Sequence, residues 1–286
     1  MLAAGVILVS CIGGKPSPSD QVVRVGMHRL QIHREGTGSP TVVIDSGITD
    51  TMEKLRPLQG RIAKFTHVCI YNRAGYGQSE AGPLPRDSGR EAEELKALLD
   101  RAAVPGPYVV VGHSLGALNM QVFAAKYSEG VVGIVLLDPP PLSFIRGQEY
   151  MSLRAMAERM TAEWQAVADS GAKSTDPKEE TQGVFFQMIA SEHREMFAES
   201  ARLVAEISSF GDTPLVVMAA GKPNPRFGDV AGEYQQYWID QSRALSRRSS
   251  NNKFVLAENS SHYLYLDVPD LVVESILDVV NQANAK

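Results

Sequence analysis

Short apolar runs recur along this chain, and between them lie stretches whose apolar residues return every three or four positions. The first kind reads as strand and the second as helix. Val22 to Arg34 contains two alternating pieces around Gly26 and predicts a hairpin. Thr41-Val42-Val43-Ile44 and Val68-Cys69-Ile70-Tyr71 are continuous runs of the kind buried strands carry. Arg90 to Ala103 sets Ala92, Leu95, Leu98, Leu99 and Ala102 on one helical stripe. Further strands are predicted at Tyr108–Val111, Val131–Leu137, Pro214–Gly221 and Lys253–Leu256. Pro269 opens a final amphipathic helix built on Leu271, Val272, Ile276, Leu277 and Val280. Such alternation implies an α/β fold: a mostly parallel sheet with helices on both faces. Functional groups then belong at the C-terminal ends of the strands.

One stretch breaks the pattern. Residues 141–209 lack β-branched runs and are rich in helix formers, with Met151, Met156, Met160, Trp164, Phe185, Phe186 and Met188 recurring among charged residues. Residues 171–181 read as a loop between helices. Most of these apolar groups are expected to hold the segment together, and a few to face a site. The organisation expected is therefore a leader and linker over 1–20, a core over 21–140, a helical cap over 141–209, and the rest of the core over 210–286.

Chemistry enters at Gly112-His113-Ser114-Leu115-Gly116, which fits G-x-S-x-G. The strand Tyr108–Val111 runs into it, and a helix from Ala117 to Tyr127 follows. Strand, sharp turn and helix form the setting of a nucleophile elbow, which lifts a serine hydroxyl above the sheet. Ser114 is the candidate nucleophile, and it needs a base to take its proton. Of the six histidines, His113 lies within the elbow and its ring is expected to point away. His28 and His33 sit in the hairpin, and His67 precedes a strand. His193 lies in Ser191-Glu192-His193-Arg194-Glu195, read as a charged, solvated helix face. His262 follows the last strand on the polar loop Asn259-Ser260-Ser261, placed to reach over the sheet edge, and is the candidate base.

Together these segments resemble the α/β-hydrolase superfamily, and within it the esterase and lipase-like serine hydrolases. Thr41–Gly47 is similar to the strand that leads to the family's oxyanion loop. Tyr71-Asn72-Arg73-Ala74-Gly75-Tyr76-Gly77-Gln78-Ser79 resembles its Asp-x-x-Gly-x-Gly-x-Ser turn, with Asn72 where relatives carry Asp. Gly106–Ser114 resembles the approach to the elbow. Ser261-His262 followed by Leu266-Asp267-Val268-Pro269 resembles the histidine loop and last helix. The resemblance runs from Val22 onward and fades between Pro141 and Ser209. It implies oxyanion donors at the backbone N–H groups of Leu115 and Ile48. The Leu115 donor lies at a helix N-terminus, whose dipole favours negative charge.

The third member of a triad is open in the sequence. Where relatives often carry the acid, after Pro214–Gly221, this chain has Lys222-Pro223-Asn224-Pro225, and the next carboxylate is Asp229. Asp138, which ends Val131–Leu137 and precedes Pro139-Pro140-Pro141, resembles the acid of pancreatic-type lipases. Asp138 is the first choice and Asp229 the second. A site with another partner, or with none, is the third.

Composition narrows the class without changing this picture. The 286 residues suffice for one domain with an insertion, and 44% hydrophobic with 21% charged residues argues against wholesale disorder. A net charge of −5 with no long basic run excludes nucleic acid as the main partner. No Cys/His cluster has zinc-ligand spacing and no glycine-rich loop is built for phosphates, so neither metal nor cofactor is expected. Leu8-Val9-Ser10-Cys11 resembles a bacterial lipobox, which would put a lipid anchor on Cys11 and the protein in the cell envelope. The segment is short and no Lys or Arg precedes it, so a cytoplasmic address stays open. Oligomeric state is not encoded in any pattern here. The expected activity is cleavage of a small or medium carboxylic ester through an acyl-enzyme. Amide, lactone or carbon–carbon hydrolysis, cofactor-free haloperoxidation, and a non-catalytic ligand-binding role on the same fold are the alternatives.

Overall fold

The computed structural model describes residues 19–141 and 150–285. Cys11 and its lipobox-like segment lie outside the described residues. A hairpin comes first, β1 (Ser19–Val25) and β2 (His28–Glu35), followed by β3 (Thr41–Asp45). Then come α1 (Arg56–Ile62), β4 (Val68–Asn72), α2 (Ser88–Arg101), β5 (Tyr108–His113), α3 (Leu115–Lys126) and β6 (Val131–Leu137). Among the described residues, three helices come before the next strand: α4 (Met151–Gly171), α5 (Pro177–Met196) and α6 (Glu199–Glu206). The chain closes with β7 (Leu215–Ala220), α7 (Ala231–Ser246), β8 (Asn252–Ala257), α8 (Leu264–Asp267) and α9 (Pro269–Asn284).

The strands form one eight-stranded sheet in the order β1-β2-β4-β3-β5-β6-β7-β8. The pairs β1/β2 and β2/β4 are antiparallel and the rest are parallel. The α/β fold class read from the pattern is the one observed. In β5, Val109 and Val111 face one side and Val110 the other, and all three are fully buried. This is why the strands read as continuous apolar runs: helices cover both faces. Helices α2 and α3 lie on the Val110 side, and α1 and α9 on the Val109 side.

Register sets the location of the site. Asp45 is paired with Gly112, His113 with Leu137, Leu137 with Met218, and Ala220 with Ala257. The C-terminal ends of β3, β5, β6, β7 and β8 therefore line up along one edge. Chain order also reverses here, with β4 on one side of β3 and β5 on the other, and such a switch point leaves a crevice. Helix boundaries differ from the periodicity by a few residues, and the loop read over 171–181 is shorter, because Asp176 caps α5 and Pro177 opens it.

Candidate active site

Ser114 stands between β5 and α3 with φ +53° and ψ −119°, a conformation rare outside glycine. Its N–H donates to Leu137 O at 3.0 Å, and its carbonyl accepts from Ala117 N at 2.9 Å. Backbone strain of this kind costs on the order of 1–3 kcal/mol and persists only where the surroundings impose it. Two glycines make the turn possible by close approach. A Cβ at Gly112 would lie 2.3 Å from Gly116 O, so glycine lets α3 seat on β5. A Cβ at Gly116 would lie 2.6 Å from Asp45 O and 2.7 Å from Ser46 O, so glycine lets the loop after β3 seat on the start of α3.

Asp138 is a second non-glycine residue held at positive φ, +45°, at the end of the neighbouring strand β6. Its N–H donates to Met218 O at 2.8 Å, and its Oδ1 accepts from Ala220 N at 2.9 Å. The remaining carboxylate oxygen, Oδ2, is 2.6 Å from His262 Nδ1. That distance is a charge-assisted hydrogen bond, and an acceptor at Nδ1 makes Nδ1 the protonated nitrogen and leaves Nε2 as the lone-pair side. Asp229 is exposed on the 3-10 segment Pro225–Val230 and takes no part in this pair.

His113 brings the histidine loop to the serine. Its Nε2–H donates to His262 O at 2.8 Å, and its ring packs 4.7 Å from the His262 ring and 5.1 Å from that of Tyr265. Burial, and after it the nearby His262, hold its pKa well below the usual histidine value, so the ring is neutral. Its Nδ1 is buried without a hydrogen-bond partner among the described residues and looks toward Gly47. A Cβ at Gly47 would lie 2.9 Å from that nitrogen and 3.3 Å from Ser114 Cβ. The loop carrying Ile48 thus runs directly over the elbow. Ile48 itself is half-buried against the core. Leu115, as first residue of α3, has an amide with no acceptor available within its helix.

What orders that loop went unseen in the sequence. Arg73 is fully buried and donates to Asp45 Oδ1 at 2.6 Å, Ser46 O at 2.8 Å and Gly47 O at 3.1 Å. Its other side meets Glu192 of α5, with Nε to Oε1 at 2.8 Å. Asn119 of α3 closes the set by donating to Asp45 Oδ2 at 2.8 Å. Ser191, Glu192 and His193 are buried, which corrects their reading as a solvated face. Charged residues at helical spacing carry no sign of burial until their partner is located, and Arg73 is 119 residues away. His193 lies against Thr161 Oγ1 at 2.6 Å inside the helical insertion, remote from the His262 loop. Asn72 ties its turn to neighbouring elements: Oδ1 accepts from Met52 N at 2.8 Å, and Nδ2 donates at 2.7 Å to Gln31 Oε1, which also accepts from Gln78 N at 3.0 Å. Among the described residues, no three His, Cys, Asp or Glu side chains converge as metal ligands.

The chain is similar to several known proteins. YqjL of Bacillus subtilis (strain 168), an uncharacterized protein, is 27% identical over 247 residues, 86% of each chain. The 2-(acetamidomethylene)succinate hydrolase of Mesorhizobium japonicum is 32% identical over 120 residues, 42% of each chain. A thermophilic esterase from Thermogutta terrifontis, solved with malate bound, superposes with a TM-score of 0.62 at 17% identity, over 94% of this chain and 99% of that one. At that identity the likeness speaks for the fold alone. The model of the family described as "Alpha/beta hydrolase family" matches residues 42–275, strands β3 to β8 with the elbow and the histidine loop inside the match, and the chain belongs to the alpha/beta hydrolase family.

Proposed function

We propose that the protein is a serine hydrolase that cleaves a small or medium carboxylic ester through an acyl-enzyme, with Ser114 as nucleophile, His262 as base and Asp138 as the acid. The observation that carries this reading is the Asp138–His262 hydrogen bond, made at the strand ends beside a strained serine. Asp138 fixes the imidazole tautomer, so that Nε2 is free to take the Ser114 proton as the hydroxyl attacks the carbonyl. The N–H groups of Leu115 and Ile48 hold the oxyanion of the tetrahedral intermediate. His262 then protonates the leaving alcohol and later removes a proton from the water that releases the acid. Asp138 stabilises the imidazolium that forms twice in this cycle.

A serine at the elbow speaks against the aspartate-nucleophile chemistry of dehalogenases and epoxide hydrolases. A relative named as a 2-(acetamidomethylene)succinate hydrolase keeps hydrolysis of other acyl or carbon–carbon bonds as the second reading. Titration with a fluorophosphonate probe tests the proposal. Stoichiometric labelling at Ser114, prevented by prior incubation with a cleavable ester, is the expected result. An unreactive Ser114 in folded protein would return the chain to a ligand-binding role.

A further inference from the structure

Beside His262 the structure holds a cavity of about 330 Å³. One wall is the histidine loop, with His262 and Tyr263, and another is Trp238 of α7. The third is the loop after β7, which contributes Lys222, Arg226 and Phe227. This loop is tied to the histidine loop at its start and turned by a bond of its own. Lys222 N donates to Ser260 O at 3.0 Å, and Asn224 Oδ1 accepts from Arg226 N at 3.0 Å. It is the segment where the sequence puts two cations and an amide in place of the carboxylate sought there.

Neither Lys222 nor Arg226 is ion-paired among the described residues. Lys222 is felt only at longer range by Asp267, which is held below the usual carboxylate range first by Ser261 and in smaller part by Lys222. The carboxylate in the cavity wall, Asp138, is already engaged by His262 and the Ala220 amide. In a chain of net charge −5, two exposed cations without an ion pair thus border a cleft that is also walled by Phe227, Trp238 and Tyr263. Two cations against the one, already engaged carboxylate of Asp138 leave the cleft net positive, and a positive cleft concentrates anionic ligands.

We propose that this cavity is an anion-accepting subsite of the same centre, so that the substrate carries a carboxylate beside its scissile ester. The inference rests on the hydrolase reading above. The carboxylate can belong to the acyl half or to the alcohol half, and two ester pairs distinguish these. One pair is mono-4-nitrophenyl glutarate and its methyl ester. The other is 4-acetoxybenzoate and its methyl ester. In one of the pairs the anionic member is expected to have a kcat/KM about tenfold or more above the neutral one, the usual scale of a charge-assisted contact. That ratio should fall toward one in the double variant Lys222→Gln/Arg226→Gln and shrink with added salt. The double variant Lys64→Gln/Arg101→Gln changes the net charge equally from exposed positions ahead of β4 and β5, at the far end of the sheet, and should leave the ratio intact. Equal or inverted preference in both pairs, or a ratio unaltered in the double variant, overturns the subsite. A second measurement is independent of turnover. Glutarate should raise the Tm of Ser114→Ala and lose that effect when Lys222 and Arg226 are also replaced. If glutarate raises Tm but no ester is cleaved, the ester reading falls and the subsite stands. Ester cleavage without charge preference or Tm shift is the reverse case.

Discussion

At the scale of the residue, Ser114 and Asp138 are alike in one respect: each is a non-glycine residue at positive φ, each at the end of a parallel strand, each pinned by the neighbouring strand's backbone. Strained residues of this kind cluster at active sites in proteins generally, which is the ground for testing these two. Ser114→Ala keeps every one of those backbone contacts and is expected to lower ester turnover by on the order of a thousandfold or more, because a triad acts as a unit. Rates with 4-nitrophenyl acetate, alongside an unchanged circular dichroism melt, check this. Wild-type turnover in the folded variant would falsify the nucleophile assignment. Asp138→Asn leaves an amide that cannot stabilise the imidazolium, and a loss on the order of a thousand- to ten-thousandfold is expected. Asp229→Asn, on an exposed turn, should stay within about twofold of wild type, the range of surface substitutions away from a site. The opposite ranking of the two variants would hand the acid's role to Asp229.

At the scale of the element, α5 is tied to the loop after β3 through Glu192 and Arg73. Both groups are out of water, so removing one leaves the other charge short of a partner. Glu192→Ala is expected to cost about 3–5 kcal/mol in denaturant unfolding, the scale of breaking a buried ion pair from one side. It should also lower kcat more than it raises KM, since Arg73 positions Ser46 and Gly47 and through them the Ile48 donor. A stability change under about 1 kcal/mol would mean that water or a neighbour replaces the carboxylate. The strands around this contact were legible because burial on two faces leaves a continuous apolar run, as in Val109-Val110-Val111. Ser114 and His262 were legible because local context, strand-turn-helix and loop-before-helix, marks them. Asp138 and Asp229 could not be separated from sequence, since their difference lies in which loop folds over His262. Glu192 was read as solvated because its partner belongs to another element.

At the scale of the whole molecule, burial of neutral histidines makes stability depend on pH. His193, inside the helical insertion, is pushed down from 6.5 to about 4 by burial. Its folded pKa is depressed, so the unfolded chain binds the extra proton between those values. The stability involved is present above about pH 6.5 and is lost as pH falls toward 4. At pH 5 the loss relative to pH 7.5 is about 2 kcal/mol. Glu91, buried against Arg86 and pushed up to about 8 chiefly by burial, works with the opposite sign over part of the same window. The contribution is therefore read as a difference: urea unfolding of wild type and His193→Gln at both pH values, with the variant expected to show the smaller acid loss. Parallel pH dependence in the two proteins would mean that His193 titrates alike folded and unfolded.

The line of strand ends on which the site is built is also an order in time. Ser114 can take its place once β5 and β6 are paired, and Asp138 once β7 has joined β6. His262 comes 124 residues after Asp138, behind the edge strand β8, whose ladder is made with β7 alone. A nascent chain that folds from its N-terminus therefore holds an inert hydroxyl and a waiting carboxylate, with nothing to take the proton. In the proposed mechanism, chemical competence arrives in one step, when β8 docks, and leaves in one step whenever that edge opens.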